Sequence, residues 1–426
     1  MADRMIDRRA FVRSLAMLGA LGALPAPVLA RVRAGDWQAV DTLFAELVPA
    51  KVPGLAAAIG RGFGEPEFFG AGTLARDSQR AVGPDSLWRI YSMTKPVTGM
   101  AAMMLIEDGK LSLDQNIADF IPGFANPRVQ LSVDTLESRP AKGPITMRHL
   151  LTHTAGLGYS IVTKGPLLAE YLRLGITPAA LTRKPLPDLA LPPTAPSLGD
   201  FADRLATLPL IADPGTKWSY SVSLDLLGRV IERASGKSFE DFLQERMFGP
   251  LGMKSTFWRV PESEAARLVT NYMVGPKGNA FPIDPGQSSI YLDKAPFAFG
   301  GAGLVSSARD YDRFLLMLLG GGAIGKVRVM RPETVRLGMS NLLPDGIDTT
   351  GTFAEGQGFG AGGRVVIKPV PGGPGLGTFG WAGAAATIGW VDPANGLRAA
   401  GYAQHLPDSS YGFPTSFSKA VYAGLA

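Results

Sequence analysis

The sequence predicts an α/β fold in which one domain is interrupted by an all-helical insertion. Strand signals gather near the N-terminal end and again from about residue 295 onward, helix signals fill the stretch between, and a strongly apolar helix stands just before that stretch. A chain of 426 residues has room for two or three average domains, or one large interrupted one. Hydrophobic residues make up 46% and charged residues 19%, which supports sizeable cores and excludes a wholly disordered protein.

Each element can be justified in order. Residues 1–13 are polar and basic, Ser14–Leu24 is small and apolar, and Val28-Leu29-Ala30 suits a signal peptidase. This is the layout of an export signal over 1–30, too short in its apolar part to span a bilayer. Arg8-Arg9 followed by Ala-Phe-Val resembles a twin-arginine signal, so a periplasmic or secreted location is expected, with retention in the cytoplasm as the alternative. Trp37, Val40, Leu43, Phe44 and Leu47 recur at helical spacing and stop near Pro49. Leu55–Ile59 and Glu67–Gly70 read as a strand pair, and Val97–Ile106 as a helix ended by Gly109.

Residues 111–294 have a different texture, with short helices joined by loops and five prolines between Pro185 and Pro196. Ser197 with Asp200, and Ser238 with Asp241, are helix-start signals; between them Leu226, Leu227, Val230 and Ile231 form one apolar face ended by Gly236. Strand signals return at Gly303–Ser306, before a helix capped by Ser307. Thr387–Val391 and Ala399–Gln404 flank a Pro-Ala-Asn-Gly turn, and Phe413–Leu425 reads as a terminal helix. The expected organisation is an α/β domain from 31–110 and 295–426, with a helical domain over 111–294.

Composition also narrows the chemistry. No cysteine means no disulfide, no thiolate metal site and no cysteine nucleophile, and three histidines leave little for a histidine metal site. Net charge is +5, of which +2 falls within the first 30 residues, and no basic stripe is interleaved with aromatics. A nucleic-acid partner is not expected. No apolar run is long enough for stable membrane insertion, and nothing in the sequence speaks to oligomeric state.

The most informative stretch is Ser92-Met93-Thr94-Lys95. Residues three apart share a helix face, so the Lys95 amine can reach the Ser92 hydroxyl. A serine hydroxyl attacks well only when a base takes its proton, and an amine serves as that base more readily when buried among apolar groups. The helix after Lys95 is apolar nearly all round, which predicts such burial. A second copy, Ser416-Phe417-Ser418-Lys419, lies on an ordinary amphipathic helix, so the tetrapeptide alone carries little weight. Gly-x-Ser-x-Gly is absent, which argues against the usual α/β-hydrolase triad.

Longer segments agree with one another. Arg89-Ile-Tyr-Ser-Met-Thr-Lys-Pro, Glu107–Asp114, Ile145–Leu157, Trp218-Ser-Tyr-Ser-Val-Ser-Leu-Asp225, Gly301–Tyr311 and Gly380-Trp-Ala-Gly-Ala384 resemble, in that order, the serine β-lactamase and penicillin-binding-protein superfamily. The class C β-lactamase-like branch with its family VIII carboxylesterases fits best, over nearly all of residues 36–410. The resemblance implies an antiparallel sheet flanked by helices, plus the helical insertion. It implies that Ser92 is acylated, that Lys95 and Tyr220 share the proton, and that the backbone N–H groups of Ser92 and Ala384 form the oxyanion hole. Which of Lys95 and Tyr220 is the base stays open. No cofactor is implied.

Two departures from the pattern matter. The tyrosine motif ends in Val222 where asparagine is usual, and the third motif, Trp381-Ala382-Gly383, has tryptophan where lysine is usual. Both replace polar recognition with apolar surface at the substrate-binding positions Val222, Trp381 and Gly383. Small neutral or short-chain esters are therefore the expected substrates. The competing expectations are a β-lactamase or D-Ala-D-Ala peptidase, an acyltransferase, and a non-catalytic penicillin-binding module. His149 and His153 stand four apart, but Leu150 replaces the glutamate of a zinc motif, so local hydrogen bonds rather than a metal are expected.

Overall fold

The computed structural model describes residues 36–178, 181–183 and 194–425. The export signal expected over 1–30, and four of the five prolines in the 185–196 stretch, lie outside the described residues.

An antiparallel sheet of seven strands carries the fold. In chain order they are β1 (Gly54–Arg61), β2 (Glu67–Gly72), β3 (Gly358–Phe359), β4 (Arg364–Val365), β5 (Phe379–Gly383), β6 (Thr387–Asp392) and β7 (Leu397–Tyr402). Their spatial order is β3-β4-β5-β6-β7-β1-β2, so the C-terminal meander docks on the N-terminal hairpin through β7 and β1, with Ala58 opposite Ala400. Alternation splits β1 between two cores. Leu55, Ala57 and Ile59 face helices α1 (Gln38–Leu47) and α5 (Phe413–Ala423), whereas Ala56 and Ala58 face the larger core. Small residues at the second set let helix α4 (Ala308–Leu319) lie close against β1, β6 and β7.

Helix α2 (Thr94–Glu107) runs through the larger core, and every residue from Thr94 to Leu105 is buried. Gly99 permits its passage: a Cβ there would stand 2.1 Å from the Ala361 carbonyl oxygen. Each fully buried Met, Leu or Val on this helix contributes on the order of 1.5–3 kcal/mol of transfer free energy. Helix α3 (Ser223–Ser235) packs across α2 and ends at Gly236 in the left-handed region, φ 73°. The caps read from sequence are present, with Ser197, Ser238 and Ser307 accepting from the N–H groups of Asp200, Asp241 and Asp310.

The regular structure of 111–294 is predominantly helical, in short elements joined by loops, but the stretch is not all-helical: it also holds short antiparallel pairs, 128–130 with 138–140 and 271–274 with 280–284. Each strand is only three to five residues long, too short for period-two alternation to stand out in the sequence, and Asn271–Val274 also pairs in parallel with His405–Leu406. Leu87–Arg89 pairs with Val305–Ser307 apart from the main sheet. There the buried Arg89 guanidinium donates to Asp284 Oδ2 at 2.7 Å and to Val269 O at 2.6 Å, anchoring the chain three residues before Ser92.

Candidate active site

Ser92 sits in a single tight turn, Tyr91–Met93, that leads directly into α2. Its predecessor Tyr91 has φ 41°, a conformation a bulky residue adopts only when its surroundings impose it. Those surroundings are visible: the Tyr91 hydroxyl accepts from Asn271 Nδ2 at 3.0 Å, and Met93 O accepts from the Tyr311 hydroxyl at 3.0 Å. The strained turn presents the Ser92 hydroxyl off the end of a buried helix.

Lys95 follows one turn on, fully buried (0% exposed). Its Nζ donates to Ser92 Oγ at 3.2 Å and to Gly301 O at 2.7 Å, and lies 4.5 Å from the centre of the Tyr220 ring. The Tyr220 hydroxyl also donates to Ser92 Oγ, at 2.8 Å. The structure therefore brings together the three side chains singled out as catalytic. The Tyr220 ring is held by other aromatics, with centroids at 4.9 Å for His153, 5.3 Å for Tyr159, 5.5 Å for Phe353 and 5.6 Å for Trp381. Phe353 is 58% exposed and marks the open side.

Trp381 does more than supply apolar surface. Its Nε1–H donates to the Tyr220 hydroxyl at 3.2 Å, so the indole occupies the hydrogen-bonding position beside the phenol. The Arg364 guanidinium stands 5.0 Å from the Trp381 ring centre, and burial pushes its pKa down. Gly383 is required by close approach: a Cβ there would meet Ile90 O at 2.3 Å and Thr387 Oγ1 at 2.2 Å. That contact lays the end of β5 against the residue two before Ser92, and Ala384, which comes next, is exposed. Val222 differs from expectation. Its side chain is buried in the core, and its N–H donates to Gly158 O at 3.1 Å, so it offers no open surface to a substrate.

Of the two histidines four apart, His149 makes the local bond expected, whereas His153 bonds Ser221, 68 residues further on. His149 closes a capping box with Thr146, accepting the Thr146 N–H at its Nδ1 at 3.2 Å. His153 Nδ1 accepts the Ser221 N–H at 3.2 Å, and burial with the nearby Lys95 charge holds its pKa well below the usual histidine range. Among the described residues no group of three or more metal-ligating side chains is found. No helix among them is long and apolar enough to cross a membrane.

Sequence reasoning missed Tyr91, Tyr159, Gly301 as an acceptor, and Asp225. All but Tyr159 lie inside segments whose order carried the resemblance, yet only their place in space gives them a function.

A serine, an amine and a phenol converging at a helix start beside an antiparallel sheet define a protein of the serine β-lactamase fold. The chain belongs to the Beta-lactamase family, whose sequence profile matches residues 40–416. It is 32% identical over 278 residues to Acyltransferase mokF of Monascus pilosus (63% of this chain, 61% of the relative). It is 30% identical over 344 residues to Esterase EstB of Burkholderia gladioli (76% of this chain, 79% of the relative). Its fold matches the solved structure of EstCE1, a hydrolase with promiscuous acyltransferase activity, with TM-score 0.73 and 24% identity over 90% of this chain and 98% of that one.

Proposed function

We propose that this chain is a serine esterase that cleaves small neutral carboxylic esters through an acyl-Ser92 intermediate. The observation that carries the reading is that Ser92 Oγ lies 2.8 Å from the Tyr220 hydroxyl and 3.2 Å from Lys95 Nζ, both on buried side chains. In this reading Ser92 Oγ attacks the ester carbonyl carbon as its proton passes to the Lys95/Tyr220 pair. Negative charge gathers on the former carbonyl oxygen, where the backbone N–H groups of Ser92 and Ala384 stabilise it. The ester C–O bond then breaks, and the pair returns the proton to the leaving alcohol. Water attacks the acyl carbon as its proton passes to the same pair; the acyl–Oγ bond then breaks, Ser92 Oγ takes that proton back, and the acid departs. Lys95 and Tyr220 both reach Oγ, so they are treated as one coupled titrating unit.

Support for esters over β-lactams comes from the third motif, where Trp381 replaces a cation, and from the relative named Esterase EstB. A second reading, acyl transfer, is supported by the relative named Acyltransferase mokF. It needs only that an alcohol replace water at the acyl-enzyme. The test is a panel of p-nitrophenyl butyrate, a carboxylate-bearing ester and nitrocefin, with intact-mass detection of the acyl-enzyme. Fast butyrate turnover, with an adduct that Ser92→Ala lacks, is expected. Nitrocefin turnover equal to that of the ester overturns the substrate assignment. Ester product formed when an alcohol is added reports transfer.

A further inference from the structure

A buried acid stands behind the amine and has no part in the reading above. Asp225 is the third residue of α3, its side chain is buried, and it forms no ion pair among the described residues. Burial pushes its carboxyl upward while the Lys95 charge pulls the other way, and burial prevails. A buried acid with no ion-pair partner costs desolvation, offset in part by the Gly301 N–H it accepts and by its place in the first turn of α3.

Its contacts supply a reason for it. Asp225 Oδ1 accepts the Gly301 N–H at 2.9 Å, and Gly301 O accepts from Lys95 Nζ at 2.7 Å. On the same peptide as that N–H, Gly300 O accepts from Thr98 Oγ1 of α2 at 2.7 Å. The 300–301 segment is thus clamped between α2 and α3. Glycine at 301 lets the carboxylate come close: a Cβ there would stand 2.6 Å from Asp225 Oδ2 and push it away. With one amine hydrogen engaged by Gly301 O, Nζ is left aimed at Ser92 Oγ, 3.2 Å away.

Building on the acyl-serine reading, we infer that Asp225 is a positioning residue: by holding the Gly301 N–H it fixes the residue whose carbonyl engages the Lys95 amine, and so orients that amine toward Ser92. Asp225 touches no reacting atom. The arrangement trades fold stability for orientation, and that gives the inference a signature. Asp225→Asn keeps an oxygen for the Gly301 N–H but removes the buried charge, so it should hold or raise Tm while slowing the enzyme. A merely structural role predicts the reverse, with Tm falling and the activity of the folded fraction preserved.

The test uses the full chain as wild type, Asp225→Asn and Asp225→Ala, with Tm, kcat and KM on p-nitrophenyl butyrate, and the rate of Ser92 labelling by a fluorophosphonate probe. In the labelling step the Ser92 Oγ–P bond forms as fluoride leaves and the Lys95/Tyr220 pair takes the proton. The expected result is kcat and labelling rate down about tenfold for Asn and about a hundredfold for Ala, with KM within about twofold. Wild-type rates in Asp225→Asn, or losses that simply follow Tm in both variants, overturn the inference. If wild type does not label at Ser92, the acyl-serine reading fails and takes this inference with it. If wild type labels and Asp225→Asn labels as fast, the Asp225 inference alone fails.

Discussion

The molecule carries the same short pattern twice. Ser92 and Lys95 lie at the start of α2, and Ser416 and Lys419 lie within α5, with the same three-residue spacing on a helix. Lys95 is buried and donates to both Ser92 Oγ and Gly301 O. Lys419 is exposed, and among the described residues no hydrogen bond joins it to Ser416. The difference lies in what surrounds each helix. Helix α2 passes through the core and meets Tyr220, Gly301 and the end of β5, whereas α5 covers one sheet face and leaves its polar side to water. Fixing an exposed, solvated lysine costs rotamer freedom that no buried contact repays, so identical spacing produces a candidate nucleophile in one place and surface in the other.

The sharpest way to break that comparison is to remove each hydroxyl in turn. Ser92→Ala should cut ester kcat/KM by about 10³-fold or more, while Ser416→Ala stays within about twofold, measured with p-nitrophenyl butyrate. If both variants keep full activity, the α2 copy has no privileged chemistry. Next in size is Tyr220→Phe, which keeps the ring among its aromatic neighbours but deletes the hydroxyl 2.8 Å from Ser92 Oγ. A fall in kcat of about 10²–10⁴-fold with little change in Tm is expected for loss of a proton-transfer group.

Trp381→Phe refines the comparison further, because it keeps an aromatic ring at this position but removes the Nε1–H donated to the Tyr220 hydroxyl, along with part of the indole. One hydrogen bond is worth about 0.5–1.5 kcal/mol, so a fall of about three- to tenfold in kcat is expected, measured beside an unchanged circular dichroism spectrum. The fold that supports both copies has its own pH signature. Burial holds His149 and His405 each at about 4. The unfolded chain binds protons from about pH 6.5 downward and the folded one resists until about pH 4, so stability is full above about 6.5 and is lost as pH falls through that window. Calorimetry should show Tm flat from pH 7 to 8 and declining steadily from 6.5 to 4. Smallest of all, Lys419→Met should change Tm and turnover by no more than a surface substitution does, within about 0.5 kcal/mol.

Much of this was legible before any coordinates. The caps at Ser197, Ser238 and Ser307, the stop at Gly236 and the hairpin over 387–402 follow from local chemistry, because a cap or turn is decided by residues within a few positions of itself. Strand ends shifted by a residue or two; β7 runs Leu397–Tyr402 rather than 399–404, since pairing with β1 sets its limits. Val222 read as a substrate contact because only its motif position was visible, whereas its side chain is absorbed by the core.

Sequence alone determined the helix periods, the caps, the proximity of Ser92 to Lys95 and the order of the motifs, because each depends on spacing along one chain. Tertiary structure decided which serine–lysine pair is buried, that Tyr220 arrives 128 residues later at the same oxygen, and that Asp225 stands behind Gly301. Such meetings depend on which surfaces lose water together, and distance along the chain does not encode that.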